Sequence, residues 1–139
     1  MTARCFADTN IFLYAASKDA ADREKKKQAR ALLETEDIGV SAQVLQEFFD
    51  AAARKKRLGI SAAEALEMIG AMTEFPVLPV TAQLVQAAIG QKLKHGISYW
   101  DAAIVAAAQE LGCEVIYTED LNDGQDYGGV IARNPFAKR

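Results

Sequence analysis

Short apolar runs rich in strand-forming residues alternate along the chain with longer segments of helical periodicity. The strands are predicted at residues 4–7, 38–40, 77–80, 114–118 and 130–132. The helices are predicted at residues 10–16, 20–34, 41–56, 61–72, 81–96 and 98–111. Because this alternation is typical of βαβ units, the pattern predicts an α/β fold built on a parallel sheet.

The ends of the predicted elements carry residues that suit such boundaries. Ser41, Ser61 and Ser98 have side chains that favour helix N-caps. Gly112 follows the most apolar helix and favours its termination. Pro79 lies in the third predicted strand. Because proline cannot donate a hydrogen bond to a neighbouring strand, this strand is expected to pair irregularly or at the sheet edge.

The length of 139 residues predicts a single domain spanning residues 1–139. Half of the residues are hydrophobic and a quarter are charged, a globular balance that argues against disorder. The formal net charge is −3 at pH 7. Since the chain has no overall positive charge, any binding of nucleic acid must rely on local basic patches.

Cysteine and hydropathy patterns favour a cytoplasmic protein that does not cross a membrane. Cys5 and Cys113 are the two cysteines; they lack the spacing of a zinc site, so a reduced pair is expected. The longest unbroken apolar run covers residues 102–108, far fewer than the roughly 20 residues that span a bilayer. Asp8 and Asn10 interrupt the early apolar stretch before a secretory signal could form.

Three acidic residues are expected to meet at one edge of the sheet. Asp8 follows the first predicted strand, and Asp120 follows the strand at 114–118. Asp101 lies at the start of the helix that leads into that strand. Ligand sites of open parallel sheets form outside the carboxyl ends of the strands, so these acids are candidates for a shared site.

Glu47 lies on the flank of an apolar helix face, as Asp101 does. Val44 at i−3 and Ala51 at i+4 share that face with Glu47. A carboxylate in such a place is costly unless it is paired, and converging acids repel one another unless a cation neutralises them. Oxygen ligands without histidine or thiolate favour Mg²⁺ or Mn²⁺.

Each of these acids also has a purely structural interpretation. Asp8 could cap the first helix, and Asp101 could form a capping box with Ser98. Glu47 could be an ordinary residue at the border between core and solvent. Asp120 could belong to a turn. The argument for a functional site therefore depends on all four acids lying at one sheet edge.

Four short motifs contain these acids. They are FADTNI at residues 6–11, SAQVLQEF at 41–48, SYWDAAI at 98–104, and YTEDL at 117–121 followed by NPF at 134–136. In order and spacing they resemble the PIN-domain ribonucleases, and more narrowly the VapC-type toxins of type II toxin–antitoxin systems. The resemblance covers essentially the whole chain. It implies a three-layer α/β/α fold with a central, mostly parallel sheet of four to five strands.

The resemblance also implies a metal-dependent endoribonuclease, in which acids hold Mg²⁺ or Mn²⁺ and a metal-activated water hydrolyses RNA. The acids are Asp8, Glu47, Asp101 and Asp120. Metal-activated water does not need the 2′-hydroxyl, so RNA as the substrate follows from the resemblance and not from the mechanism. The implied partners are an RNA substrate, a cognate antitoxin protein and a second toxin copy in a homodimer.

Polar residues beside the acids complete the implied site. Thr9, Asn10 and Thr118 occupy positions that would orient ligands or bind metal-bound water. Asp123 lies three residues after Asp120 and could supplement or replace it. Of these two, Asp120 is the preferred ligand.

Two basic clusters are candidates for contact with RNA. One covers residues 23–30 and the other residues 54–57. Each could instead be a solvated helix surface or favourable charge at a helix end. The second cluster follows the Glu47 helix and is preferred, with Arg54, Lys55 and Lys56 as the expected RNA contacts.

Two other classes of function fit part of the pattern. A PIN-like module could bind RNA or protein without cutting, although the complete set of four acids argues against it. A receiver domain also gathers acids around magnesium at the carboxyl edge of a parallel sheet. It fits less well, because Asp8 has no adjacent acid and no lysine follows the strand at 114–118.

Overall fold

The computed structural model describes residues 1–138, so the last residue of the predicted domain lies outside the described residues. Within that range the chain forms a six-stranded sheet. The strands are β1 (Cys5–Ala7), β2 (Ile38–Ser41), β3 (Val77–Leu78), β4 (Val115–Tyr117), β5 (Asp126–Tyr127) and β6 (Val130–Arg133). Their order is β3-β2-β1-β4-β6-β5. All neighbouring pairs are parallel except β5 and β6.

Six α-helices accompany this sheet in the described part of the chain. They are α1 (Thr9–Ala16), α2 (Arg23–Thr35), α3 (Ala42–Arg54), α4 (Ala62–Met72), α5 (Ala82–His95) and α6 (Tyr99–Glu110). Every residue of β1 and β2 is buried. Because successive strand residues point to opposite faces, both faces of the sheet are covered. The predicted α/β fold with a mostly parallel sheet is confirmed.

The sheet has one strand more than the four to five predicted, because β5 lies in a segment whose sequence indicates only turns. Two residues are too few to show the alternation of a strand, and β5 pairs antiparallel with β6. Gly128 and Gly129 connect them with φ of 66° and 98°, the left-handed conformation that a two-residue hairpin turn requires. Tyr127 is buried in this hairpin.

The predicted cap residues precede their helices, but α3 ends at Arg54, before its predicted end at residue 56, and a 3₁₀ turn at Ala20–Asp22 replaces the start of the helix predicted at 20–34. Ser61 forms a capping box at α4, and Ser98 Oγ accepts a hydrogen bond from the Asp101 N–H at α6. Ser41 precedes α3 but caps it by position alone, since its buried hydroxyl has no hydrogen-bond partner within residues 1–138. The strand before Pro79 lies at the sheet edge, as the proline predicts.

The order of the strands brings distant parts of the chain to one edge. β1 and β4 are parallel neighbours, with Ala7 opposite Tyr117. The backbone N–H of Asp8 extends this pairing by donating to the Tyr117 carbonyl at 3.0 Å. The segments that follow β1 and β4 therefore start side by side. None of the helices within residues 1–138 has the length and apolar character needed to cross a bilayer.

Candidate active site

A cavity of about 190 Å³ opens at this carboxyl edge of the sheet. All four predicted acids line it: Asp8, Glu47, Asp101 and Asp120. They come from the end of β1, the middle of α3, the first turn of α6 and the loop after β4. The structure thus brings together carboxylates that are up to 112 positions apart in the sequence (120 − 8).

Asp8 is the most deeply buried of the four, with 5 % of its surface exposed. Its Oδ1 accepts a hydrogen bond from the Thr9 N–H at 2.7 Å, which caps α1. Its Oδ2 accepts one from the Thr118 hydroxyl at 2.8 Å. Burial nevertheless raises the pKa of Asp8 to about 7, and repulsion from Asp120 and Glu47 adds to the rise.

Glu47 lies half-buried on α3, where Oε1 accepts two hydrogen bonds. The Gln43 carboxamide donates at 3.1 Å and the Thr9 hydroxyl at 3.4 Å. The pKa of Glu47 is raised, first by burial and then by the carboxylates of Asp101 and Asp120, against the effect of the two donors. As long as no cation is bound, the cavity therefore makes the charged form of this acid more costly than it is in water.

Asp101 lies in the first turn of α6 and is half-buried. Its N–H donates to Ser98 Oγ at 3.1 Å, so the predicted capping role uses its backbone while its side chain lines the cavity. Ile104, one turn along α6, lines the same cavity. The structural and the functional interpretation of Asp101 are thus compatible with each other.

Asp120 follows β4 and is the most exposed of the four acids. Its N–H donates to Thr118 Oγ1 at 3.0 Å. Partial burial raises its pKa, and the carboxylates of Asp101 and Glu119 raise it further, while Lys55 lowers it. Thr118 is buried, and its hydroxyl donates to the Asp8 carboxylate and accepts from the Asp120 N–H. This one hydroxyl therefore joins Asp8 to the backbone of Asp120.

The remaining predicted polar residues divide between the cavity and its surroundings. Thr9 and Asn10 line the cavity, while Thr118 supports it from beneath. Asp123 is not part of the cavity lining. Its Oδ1 accepts a hydrogen bond from the Asn134 N–H at 2.9 Å, which fixes the chain after β6. The geometry thus favours Asp120 over Asp123 as the fourth acid of the cavity.

The two basic clusters have different roles in the structure. In the cluster at residues 54–57, Arg54 and Lys55 line the cavity, whereas Lys56 does not. Arg57 is held by Asp19 and Asp22. The reason is local: α3 ends at Arg54 and the chain turns into a short 3₁₀ helix at Lys56–Leu58, which directs later side chains elsewhere.

The cluster at residues 23–30 stabilises the fold around α1. Lys25 forms an ion pair with Glu119 at 3.0 Å and lies 4.6 Å from the centre of the Tyr14 ring. Lys26 and Arg30 donate hydrogen bonds to backbone carbonyls near the end of α1. These cations are thus used in packing the helices, as the structural interpretation of this cluster expects.

Three polar or aromatic residues near the acids were not singled out from the sequence. Gln43 lies one helical turn before Glu47 and also donates to the Trp100 carbonyl at 3.3 Å. Asp50 and Trp100 line the cavity. The i, i+4 spacing of Gln43 and Glu47 is the one signal that a sequence could give for this group.

The donor set suits a hard divalent cation, because the cavity offers carboxylate oxygens and no histidine or thiolate. The raised pKa values of Asp8, Glu47 and Asp120 also favour a cation, since its charge would offset the cost of burying these carboxylates and their mutual repulsion. Within residues 1–138, no three acidic, histidine or cysteine side chains converge tightly enough to hold a metal ion. Binding one would therefore require the carboxylates to lie closer together than they do here.

The fold and the cavity define an α/β protein with a carboxylate site at the carboxyl edge of its parallel sheet. A family model described as PIN domain matches residues 5–123, a range that contains all four acids. The chain belongs to the PIN-domain family, as its motifs predict. No curated protein sequence matches it significantly.

Several solved structures share this fold. VapC20 of Mycobacterium tuberculosis, described as a sarcin-ricin loop cleaving toxin, has a TM-score of 0.68 at 22% identity, over 84% of this chain and 89% of its own. A toxin–antitoxin complex from Klebsiella pneumoniae has a TM-score of 0.70 at 18% identity, over 95% and 98%. DNA-bound VapBC from Salmonella typhimurium has a TM-score of 0.65 at 19% identity, over 97% and 99%. These similarities confirm the VapC-like fold.

Proposed function

We propose that this chain is a metal-dependent endoribonuclease and the toxin component of a toxin–antitoxin pair. The observation that carries the proposal is the convergence of four carboxylates on one cavity in a PIN-domain chain. The VapC20 structure supports the assignment, because it is described as a cleaving toxin. We further propose that residues 1–139 act as one domain, in the cytoplasm.

In this proposal the catalytic and metal-holding residues are Asp8, Glu47, Asp101 and Asp120. They would hold Mg²⁺ or Mn²⁺, which supplies an activated water and stabilises the charge that builds on the phosphate during hydrolysis. With a pKa raised to about 7, Asp8 is partly protonated at neutral pH in the ion-free cavity, and a cation that binds there would displace that proton. Gln43 and Thr9 keep the Glu47 carboxylate directed at the cavity.

Binding of a polyanion beside four acids requires positive charge nearby. Arg54 and Lys55 line the cavity and would contact the phosphates that flank the scissile bond. Arg54 also forms an ion pair with Asp50 at 3.3 Å, whereas the Lys55 charge acts on Asp120. Lys55 is therefore the more important of the two, and Lys56 contributes at longer range.

A non-catalytic PIN module that binds RNA or protein is the alternative within this family. Asp8 is buried and its pKa is raised to about 7, so its carboxylate lowers the stability of the fold. A non-catalytic module would gain nothing in return for this loss, which favours the enzyme. Membership of the PIN family removes the receiver-domain alternative.

The proposed partners are an RNA substrate, a cognate antitoxin and a second toxin copy. The antitoxin is supported by the neighbours, since the structures from Klebsiella pneumoniae and Salmonella typhimurium are toxin–antitoxin assemblies. Ile89 and Leu93 expose 45 % and 78 % of their surface on α5. We propose this apolar surface for the homodimer contact, because its burial in a second copy would stabilise the assembly.

The test is cleavage of a panel of structured RNAs with Mg²⁺, Mn²⁺ or EDTA. The Asp8→Asn and Asp101→Asn variants are measured beside Asp126→Asn, a control in which the amide can still accept the Gly129 N–H hydrogen bond. We expect metal-dependent cutting by the unaltered chain and the control, and none by the two cavity variants. Cutting that survives EDTA and both substitutions would contradict the proposal.

A further inference from the structure

Trp100, the single tryptophan of the chain, exposes 63 % of its surface. It lines the acidic cavity and directly precedes Asp101. A large aromatic side chain left in water forgoes the stabilisation that burial would give it. An exposed aromatic beside a charged cavity therefore indicates a ligand with both an apolar surface and a charge.

The surroundings of Trp100 hold it in place at the mouth of the cavity. Its carbonyl accepts the hydrogen bond from Gln43, which ties it to α3. Its ring makes an edge contact with the Tyr99 ring, with centres 5.1 Å apart and planes at 82°. Tyr99 packs against the buried cluster of Leu84 and Ala103 between α5 and α6. The indole is thus supported on a fixed base rather than on a loop.

The same cavity carries Arg54 and Lys55 together with the four acids. One small volume thus offers cations for phosphate, oxygen ligands for a metal ion and an aromatic surface. A single-stranded nucleotide matches all three, because its base has an exposed face that stacks on aromatic side chains. A base inside a duplex already stacks on its neighbours and must be extruded first, at a cost.

We propose that Trp100 is the stacking platform for an unpaired nucleobase adjacent to the phosphate held in the acidic cavity. This inference rests on the proposed ribonuclease function and adds a residue role to it: Trp100 is the side chain that contacts the base beside the scissile phosphate. Because every base has a stacking face, the platform selects unpaired over paired nucleotides without fixing their sequence.

The experiment uses the fluorescence of Trp100, which no other tryptophan obscures. The full chain with Asp8→Asn, which keeps bound RNA intact, is titrated in Mg²⁺ with a short unpaired oligoribonucleotide and with the same strand in a perfect duplex. Binding is followed separately by the anisotropy of a dye on the RNA. We expect the unpaired strand to bind and change the Trp100 emission, and the duplex to bind more weakly and leave it unchanged.

Substitutions at position 100 test the stacking directly. Trp100→Ala is expected to weaken binding of the unpaired strand about tenfold, within the range known for one stacked base, and Trp100→Phe is expected to restore most of the affinity. Leu66→Ala is the matched control, because Leu66 exposes 68 % of its surface on α4, outside the cavity lining. It is expected to bind RNA like the parent, and circular dichroism verifies the fold of each variant.

The possible failures are distinguishable. RNA that binds by anisotropy with unchanged Trp100 emission, and with equal affinity for Trp100→Ala, overturns this inference and leaves the proposed function intact. Failure of the unaltered chain to bind or cut any RNA overturns both. A third outcome is that the Trp100 emission changes with protein concentration in the absence of RNA, and that Trp100→Ala has lost self-association. This outcome assigns the indole to a contact between two copies and overturns the stacking role.

Discussion

Two buried aspartates of this chain have nearly the same exposure and opposite surroundings. Asp22 exposes 6 % of its surface, and its Oδ2 contacts Arg57 at 2.8 Å and the Ser17 hydroxyl at 2.7 Å. Asp8 exposes 5 %, yet its neighbours in the cavity are further carboxylates. The first acid is compensated within the fold. The second is compensated in part by hydrogen bonds from Thr9 and Thr118, and a cation that enters the cavity would compensate it further, which is how a binding site differs from a structural ion pair.

The largest expected difference between the two acids is in activity. Asp8→Asn should lower RNA cleavage by at least about 100-fold, because it removes a proposed metal ligand, whereas Asp22→Asn should retain cleavage within a few-fold. Initial rates in saturating Mg²⁺ measure both. Equal losses in the two variants would mean that Asp8 acts through the fold and not through the site.

In EDTA, the substitutions Asp8→Asn and Asp22→Asn should change the free energy of unfolding in opposite directions. The pKa of Asp8 is raised from 3.8 to about 7, so the unfolded chain loses this proton near pH 4 and the folded chain near pH 7. The contribution of Asp8 to the free energy of unfolding is thus fully present below pH 4 and is lost as the pH rises towards 7. At about pH 8, Asp8→Asn should stabilise the ion-free protein by about 2 to 4 kcal/mol.

Asp22→Asn should instead destabilise the protein, by about 1 to 2 kcal/mol, because it breaks a partly exposed ion pair and weakens the hydrogen bond from Ser17. Urea unfolding at several pH values measures both variants. Added Mg²⁺ should raise the stability of the unaltered chain and have little effect on Asp8→Asn. A stability of Asp8→Asn that equals the parent at all pH values would contradict this account of the cavity.

Gln43 tests the hydrogen bonds that hold the cavity acids. Gln43→Leu removes the donor to both Glu47 and the Trp100 carbonyl, so cleavage should fall about tenfold and the Mg²⁺ concentration for half-maximal rate should rise. Gln46→Leu is the control, since Gln46 is exposed on the same helix. A loss of rate in Gln43→Leu with unchanged Mg²⁺ dependence would indicate a structural effect alone.

The smallest expected effect concerns the cations. Neutralising Arg54, Lys55 and Lys56 together should weaken RNA binding and flatten its salt dependence. Lys55→Gln alone should account for most of the change, with a slope smaller by about 0.7 for a single strand, and Lys56→Gln should have little effect. Binding isotherms at several salt concentrations measure the slopes. An unchanged slope in the triple variant would contradict the assignment.

The sequence was sufficient where short motifs and strand order determine the outcome. Asp8 and Asp120 were expected at one edge because each follows a strand of a parallel sheet, and β1 and β4 are indeed neighbours. β5 was missed because its pairing depends on a glycine turn and not on alternation. The hydrogen bond from Gln43 to the Trp100 carbonyl was also missed, since it joins residues of two helices that are 57 positions apart and leaves no periodic signal.

The hydroxyl of Thr118, which joins Asp8 to the loop of Asp120, also has a consequence for biosynthesis. Asp8 is translated before Asp120, which lies 112 positions further along the chain, and β4 lies beside β1 in the middle of the sheet. The four acids can meet only after β4 has left the ribosome, because long-range strand pairing cannot precede synthesis of the second strand. A nascent chain that stops before β4 therefore carries Asp8, Glu47 and Asp101 without the cavity, and the site forms only once the segment after β4 has been made.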